Sequence, residues 1–226
     1  MIKNVRTFAI IPARVGSKRL KNKNFIKFNG RPLINWTIDQ AIKCKNINKI
    51  IISTDSKKFI KKISKHNRII ASLREKKLSS DKALIEDVIV EEVKKHKLFD
   101  YDNLILLQTT SPLRQTQFID NSIKKFINSR NYNTGVSFIK SNLKLKNLFE
   151  ITTSGKVKKI IKNSKLINYE AYFPSGDIYL SKVKFFMKNK TFFSKNTFPF
   201  FPKKYSDIDT LSDFKLAELK KNNNVL

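Results

Sequence analysis

The chain has 226 residues, 40% of them hydrophobic, which is enough for one domain with an ordinary packed core. One cysteine and two histidines exclude an intrachain disulfide, a cysteine-built zinc site and a histidine-rich metal cluster. The net charge of +29 comes mainly from lysines scattered from Lys3 to Lys221, a spread that argues against a clustered nucleic-acid surface and favours steering of a small anionic substrate. No apolar run approaches the ~20 residues of a membrane span, and the first ten residues lack a signal-peptide core. The expectation is a soluble, cytoplasmic protein with no nucleic-acid or membrane partner.

Thr7–Pro12 is a short apolar run closed by proline and reads as a buried strand. Leu33, Ile34, Ile38, Ala41 and Ile42 then recur at helical spacing. Lys49–Ser53 repeats the strand pattern, and Phe59, Ile60 and Ile63 suggest a helix after it, with Asp55 placed to cap a helix beginning near Ser56. Leu84–Val93 reads as helix, Asn103–Gln108 as strand and Phe118–Ile127 as helix. Strands alternating with helices of about 10–15 residues predict parallel βαβ units, whose ligands bind in loops at the strands' carboxyl ends.

After Gly135 the rhythm changes. Residues 145–173 mix lysines with Ile, Leu and Phe and read as an antiparallel excursion. Gly176–Leu180 reads as a returning strand, and Ser212–Lys221 as a terminal helix with Asp213 near its start. No repeat or linker appears, so residues 1–226 are taken as a single domain. Cys44 reads as a small buried hydrophobe, His66 and His96 as residues of lysine-rich helical surfaces, and Phe192–Phe201 as packing or a subunit contact.

The loop after the first strand holds five basic groups in thirteen residues, Pro12 to Asn24, together with Gly16 and Ser17. Backbone N–H groups and cations so placed suit phosphate oxygens, although the loop lacks the Gly-Lys-Ser/Thr ending of a Walker motif. Asp207 and Asp209, one residue apart, point the same way on an extended segment and together suit a magnesium ion.

Ile10-Ile-Pro-Ala-Arg-Val-Gly-Ser-Lys18, Lys23-Asn24 and Asn29-Gly-Arg-Pro-Leu33 resemble the opening of the CMP-sialic acid synthetases, the acylneuraminate cytidylyltransferases. The resemblance continues through Ile52-Ser-Thr-Asp55, Leu73-Arg74, Leu106-Leu-Gln-Thr-Thr-Ser-Pro-Leu-Arg114, Ser175-Gly-Asp-Ile-Tyr179 and Asp207-Ile-Asp-Thr210, in the family's order. It implies an α/β, Rossmann-like, mostly parallel sheet flanked by helices, with 145–173 as a small antiparallel dimerisation insertion in a homodimer. The implied reaction condenses CTP with a nine-carbon 2-keto sugar acid for surface glycan biosynthesis, using Mg²⁺.

By the same resemblance, Ala13, Arg14, Ser17, Lys23, Asn24 and Arg74 hold the nucleotide. Lys23, with Arg14 and Asp209, serves the chemistry, and Asp207 and Asp209 hold the metal. Gln108, Lys165 and Tyr179 meet the sugar. The family's carboxylate-gripping arginine is Lys165 here and its asparagine before the glycine is Ser175, changes that point toward a related nonulosonic acid such as a legionaminic-type sugar. Two alternatives remain. One is a CMP-Kdo synthetase, disfavoured because Gln108-Thr-Thr-Ser111 lacks that branch's acidic residue; the other is a basic scaffold or nucleic-acid binder without turnover.

Overall fold

The structure is a computed structural model that describes residues 5–17, 19–63, 66–129, 131–142, 148–151, 153, 156–160 and 170–222. Along the chain run β1 (Thr7–Pro12), the hairpin strands β2 (Lys27–Phe28) and β3 (Arg31–Pro32), α1 (Leu33–Lys43), β4 (Lys49–Thr54), α2 (Lys57–Ile60), β5 (Ile69–Leu73) and α3 (Ile85–Lys95). Then come β6 (Asn103–Leu106), α4 (Thr116–Asn128), β7 (Thr134–Lys140), β8 (Phe149–Ile151), β9 (Val157–Lys159) and β10 (Tyr172–Lys182). α5 (Val183–Asn189), β11 (Thr197–Phe200) and α6 (Leu211–Asn222) complete the chain.

Alternation within β1 sets the layers. Ala9 and Ile11 join Ile50 and Ile52 of β4 on the face covered by Ile34 and Ile38 of α1 and Ile123 and Phe126 of α4. Phe8 and Ile10 join Ile51 on the opposite face, beneath Ile89 and Val93 of α3 and Phe186 of α5. A strand buried on both faces needs a continuous apolar run, which β1 and β4 supply. A third cluster of Phe28, Leu33, Ile208, Phe214 and Ala217 seats α6 against the β2–β3 hairpin. That hairpin turns through Asn29 and Gly30, both at positive φ, the conformation such a two-residue turn requires.

The seven-stranded sheet has the order β11-β7-β10-β6-β1-β4-β5. β10 runs antiparallel to β6 and β7, and the remaining neighbours are parallel. From β1 the chain steps outward to β4 and β5, then returns to lay β6 on the other side of β1. The carboxyl ends of β1 and β6 therefore flank a topological switch point, where open α/β sheets bind ligands. Asp102 locks this arrangement by accepting from Arg6 Nε at 3.1 Å, Arg6 Nη2 at 2.7 Å and the Phe99 amide at 2.9 Å.

Several local expectations are refined. α2 covers only Lys57–Ile60, and Ser56 caps it by accepting from the Phe59 amide at 3.1 Å. Asp55 instead accepts from the Val15 amide at 2.8 Å, tying the basic loop to β4. β10 is far longer than the Gly176–Leu180 core read from sequence, and its pairing with β7 is interrupted between Pro174 and Tyr179. Within 145–173, β8 and β9 form an antiparallel pair. Cys44 is buried and its thiol donates to Asp120 at 2.8 Å; burial, reinforced by that carboxylate, pushes it up to about 12, which makes it inert. Among the described residues no helix is long and apolar enough to cross a membrane.

The β7–β11 contact is tight. A Cβ built on Gly135 would lie 2.6 Å from Phe200 Cε2 and 3.3 Å from Phe126 Cδ2, two buried rings. Gly135→Ala is expected to destabilise the fold by about 1–3 kcal/mol through overpacking. A urea unfolding midpoint equal to that of the parent would contradict this.

Candidate active site

Loops from the carboxyl ends of β1, β5 and β6 enclose a cleft of about 740 Å³, closed by Tyr179 of β10 and by Asp207 and Asp209 before α6. The β1 loop supplies Arg14, Ser17, Arg19, Lys23 and Asn24. Gly16 at φ 87° and Asn22 at φ 53° turn this loop back, and a single 3₁₀ turn at Lys23–Phe25 then presents Lys23 and Asn24. Asn24 is buried between two loops: its amide donates to the Arg14 carbonyl at 2.7 Å, and its oxygen accepts from the Thr109 hydroxyl. Ala13 lies beneath, its N–H bonded to the Ser53 carbonyl at 2.8 Å and its methyl in the core, so it does not line the cleft.

The cations are held by carboxylates across the opening. Lys23 Nζ stands 2.6 Å from Asp209 Oδ1, Arg19 Nη1 stands 2.9 Å from Asp209 Oδ2, and Arg14 Nη1 stands 2.7 Å from Asp81 Oδ1. Arg74 is buried and donates to Ser53 Oγ at 3.1 Å and the Ser53 carbonyl at 3.0 Å. Its burial lowers its pKa, while Asp55 and Glu92 oppose that shift.

The Asp-Ile-Asp segment is shaped by the buried residue between the two carboxylates. Ile208 enters the third core cluster and donates its N–H to the Thr110 carbonyl at 3.0 Å, so Asp207 and Asp209 face the cleft. Asp213 fastens the following turn by accepting from the Asp209 amide at 3.1 Å and the Thr210 amide at 2.8 Å. Burial pushes the Asp207 carboxyl up, and the charges of Asp209 and Asp213 add to this against the Thr110 hydroxyl and Lys23. Tyr179 is raised to about 12, first by burial and then by the charges of Asp207 and Asp177.

The acidic pair fits a hard divalent cation. Asp209 already attracts two positive groups, and Asp207 carries a charge that burial and its neighbour disfavour, a cost that a shared cation would relieve. No cluster of three or more His, Cys, Asp or Glu ligands exists among the described residues. Two carboxylates with the remaining positions left to water and phosphate oxygens match magnesium's usual coordination.

The family model described as cytidylyltransferase matches residues 8–226. The chain belongs to the cytidylyltransferase family. It is similar to the N-acylneuraminate cytidylyltransferase of Escherichia coli O18:K1:H7, at 31% identity over 94% of this chain and 51% of that protein. It is also 31% identical to the CMP-N,N'-diacetyllegionaminic acid synthase of Legionella pneumophila, over 95% of each. The chain thus spans about half the length of some curated relatives and nearly all of others. Among solved structures, a CMP:2-keto-3-deoxy-manno-octonic acid synthetase complexed with CTP shares the fold at TM-score 0.70 and 15% identity, over 97% of this chain and 99% of that one. The 2-C-methyl-D-erythritol 4-phosphate cytidylyltransferase of Francisella tularensis shares it at TM-score 0.66 and 16% identity, over 95% of this chain and 99% of that one.

In this cytidylyltransferase chain the cleft brings together Arg14, Ser17, Lys23, Asn24, Arg74, Gln108, Tyr179, Asp207 and Asp209 from the sequence-derived set. Lys165 lies outside the described residues. Sequence reasoning missed Arg19, Thr109 and Thr110 as lining residues. Arg19's place among the five basic groups of the loop and the adjacency of Thr109 and Thr110 to Gln108 were the available signals, and the contacts that give them a role come from residues far away in the chain.

Proposed function

We propose that the chain transfers CMP from CTP to the anomeric hydroxyl of a sialic-acid-type nonulosonic acid, releasing pyrophosphate. In this reading the sugar oxygen loses its proton and bonds to the α-phosphorus, while the bond from that phosphorus to the β-phosphate oxygen breaks. The observation that carries it is the placement of Arg14, Arg19 and Lys23 opposite Asp207 and Asp209 in one cleft at the switch point. Nucleotidyl transfer needs fixed positive charge on the non-bridging and leaving oxygens more than it needs covalent catalysis.

Lys23 is assigned to the reacting phosphate, and Arg14, Ser17, Asn24 and Arg74 to the nucleotide, with Ala13 contributing only support from below. Magnesium, held by Asp207 and Asp209, would supply further neutralisation of phosphate charge. Gln108 and Tyr179, beside the acidic pair, are assigned to the sugar, and Lys165 to its carboxylate. The relatives that act on N-acylneuraminate and on N,N'-diacetyllegionaminate support a nonulosonic acid as acceptor.

The assembly proposed is a cytoplasmic homodimer of single-domain chains joined through 145–173. Ile151, Val157, Tyr172 and Phe173 are large, exposed apolar residues within that excursion. Sedimentation at micromolar concentration should give twice the chain mass of 26.4 kDa, and a monomer would remove the dimer.

Pyrophosphate release from CTP and Mg²⁺ over a panel of N-acetylneuraminic, legionaminic and pseudaminic acids and Kdo tests the acceptor class. Turnover with a nonulosonate is expected. Turnover with Kdo alone would move the chain to the octulosonate branch.

A further inference from the structure

The loop that follows β6 serves two recesses. Gln108, Thr109 and Thr110 wall the cleft, whereas Pro112 to Thr116 wall a second recess of about 290 Å³ that shares no lining residue with it. α1, the amino end of α4 and the carboxyl end of α6 complete this second recess.

Its charge is one-sided. Arg31, Lys43, Arg114, Lys204, Lys220 and Lys221 line it against one carboxylate, Asp39, which already holds Arg31 Nη2 at 2.6 Å. Among the described residues no carboxylate lies within ion-pair distance of Lys43, Lys204, Lys220 or Lys221. Lys204 and Lys220 are half-buried, so water screens them less than the lysines of the open surface. Trp36 gathers two of the cations without neutralising them: Arg31 Cζ lies 5.3 Å and Lys221 Nζ 5.0 Å from the centre of its ring. The indole is itself fixed, its Nε1 donating to the Phe28 carbonyl at 3.0 Å.

Two further sets of donors face the same space. Arg114 is only 3% exposed; its Nη2 donates to the Gln108 carbonyl at 2.6 Å and its Nη1 to Gln40 Oε1 at 3.2 Å, yet its Nε has no hydrogen-bond partner. α4 starts at this recess after Gln115, with no side chain capping its first amides and no acidic residue in its first turn. An uncapped amino end carries unsatisfied N–H groups and the positive end of the helix dipole. Cations gathered this closely repel one another, a cost that Asp39 alone cannot offset and that a bound anion would relieve.

We infer that this recess is a second anion site, taking a small ligand that bears a diphosphate group. A monophosphate would leave most of the positive charge unpaired. A recess of this size stands at the small end of ligand pockets, roughly 300–1,000 Å³, so it holds the phosphates and not a whole nucleoside triphosphate. The site is separate from the cations of the cleft, and its existence does not depend on the proposed reaction.

Trp36 is the chain's only tryptophan, so its emission reports on this recess directly. Inorganic pyrophosphate, added without divalent metal at an ionic strength fixed by sodium chloride, should change that emission saturably, with half-saturation below about 1 mM. The Lys43→Gln/Lys204→Gln double variant should need about tenfold more pyrophosphate, having lost two charge-assisted contacts. Each single substitution should cost about threefold, which keeps the test available if the double variant fails to fold. Lys23→Met, which alters only the cleft, should leave half-saturation within about twofold. CDP in place of pyrophosphate separates the two sources of the group: an equal response assigns the phosphates of a nucleoside diphosphate, and no response assigns the free anion. An emission change that does not saturate, that sodium sulfate reproduces at the same concentration, or that Lys23→Met abolishes while the lysine variants keep it would overturn the site.

Discussion

Lys23→Met should lower kcat by about 10²–10³, the usual cost of removing one fixed donor to the charge that develops in the transition state. Methionine keeps most of the unbranched stem, so the side chain, only 16% exposed beside Asp209, can retain its packing while losing its ammonium. Arg14 and Arg19 remain in the cleft, so the KM for CTP should change far less than kcat. Steady-state pyrophosphate release together with the Kd for CTP measures both quantities. A kcat within tenfold of the parent, or a loss confined to CTP binding, would move Lys23 from the reacting phosphate to simple nucleotide retention.

Asp209→Asn has the second large effect. The amide cannot neutralise a cation, so turnover should fall by about 10³, corresponding to several kcal/mol of lost charge stabilisation. Mn²⁺ binding in the presence of CTP, followed by electron paramagnetic resonance, should weaken in parallel. Retained metal binding with lost turnover would leave Asp209 as a partner of Lys23 and Arg19 only.

Asp207→Asn should also be inactive, yet stability should move the other way. Burial raises the Asp207 pKa in the folded state, so its contribution to stability is present below the unfolded carboxylate pKa and is lost as pH rises through the folded value. At pH 7.5 the neutral variant should therefore unfold at a Tm no lower than the parent. That combination separates a carboxylate kept for chemistry from one kept for folding.

The fold was legible wherever burial on both faces leaves a continuous apolar run. Phe8–Ile11, Ile50–Ile52 and Leu104–Leu106 announce the central strands, and the recurrent residues of α1, α3 and α4 supply the covering helices. The reading failed where tertiary contacts overrule local pattern. Phe59 and Ile63 pack against the core without forming a long helix, and Asp55 bonds a loop amide forty residues away instead of capping. Much of the candidate site followed from the β1 loop and the Asp-Ile-Asp segment, whose chemistry is local. Gln108 and Tyr179 could be quoted as motif residues but not placed together, because their meeting in one cleft depends on β10 lying antiparallel beside β6.

The proposed function stands or falls on transfer at the α-phosphorus of CTP. Phosphorus-31 NMR of CTP, Mg²⁺ and a nonulosonic acid, followed with and without the protein, tests it most directly. Equal growth of pyrophosphate and a phosphodiester resonance from a CMP-sugar is expected, neither appearing when ATP replaces CTP or the sugar is omitted. Inorganic phosphate with CDP, or pyrophosphate with free CMP and no sugar dependence, would contradict it.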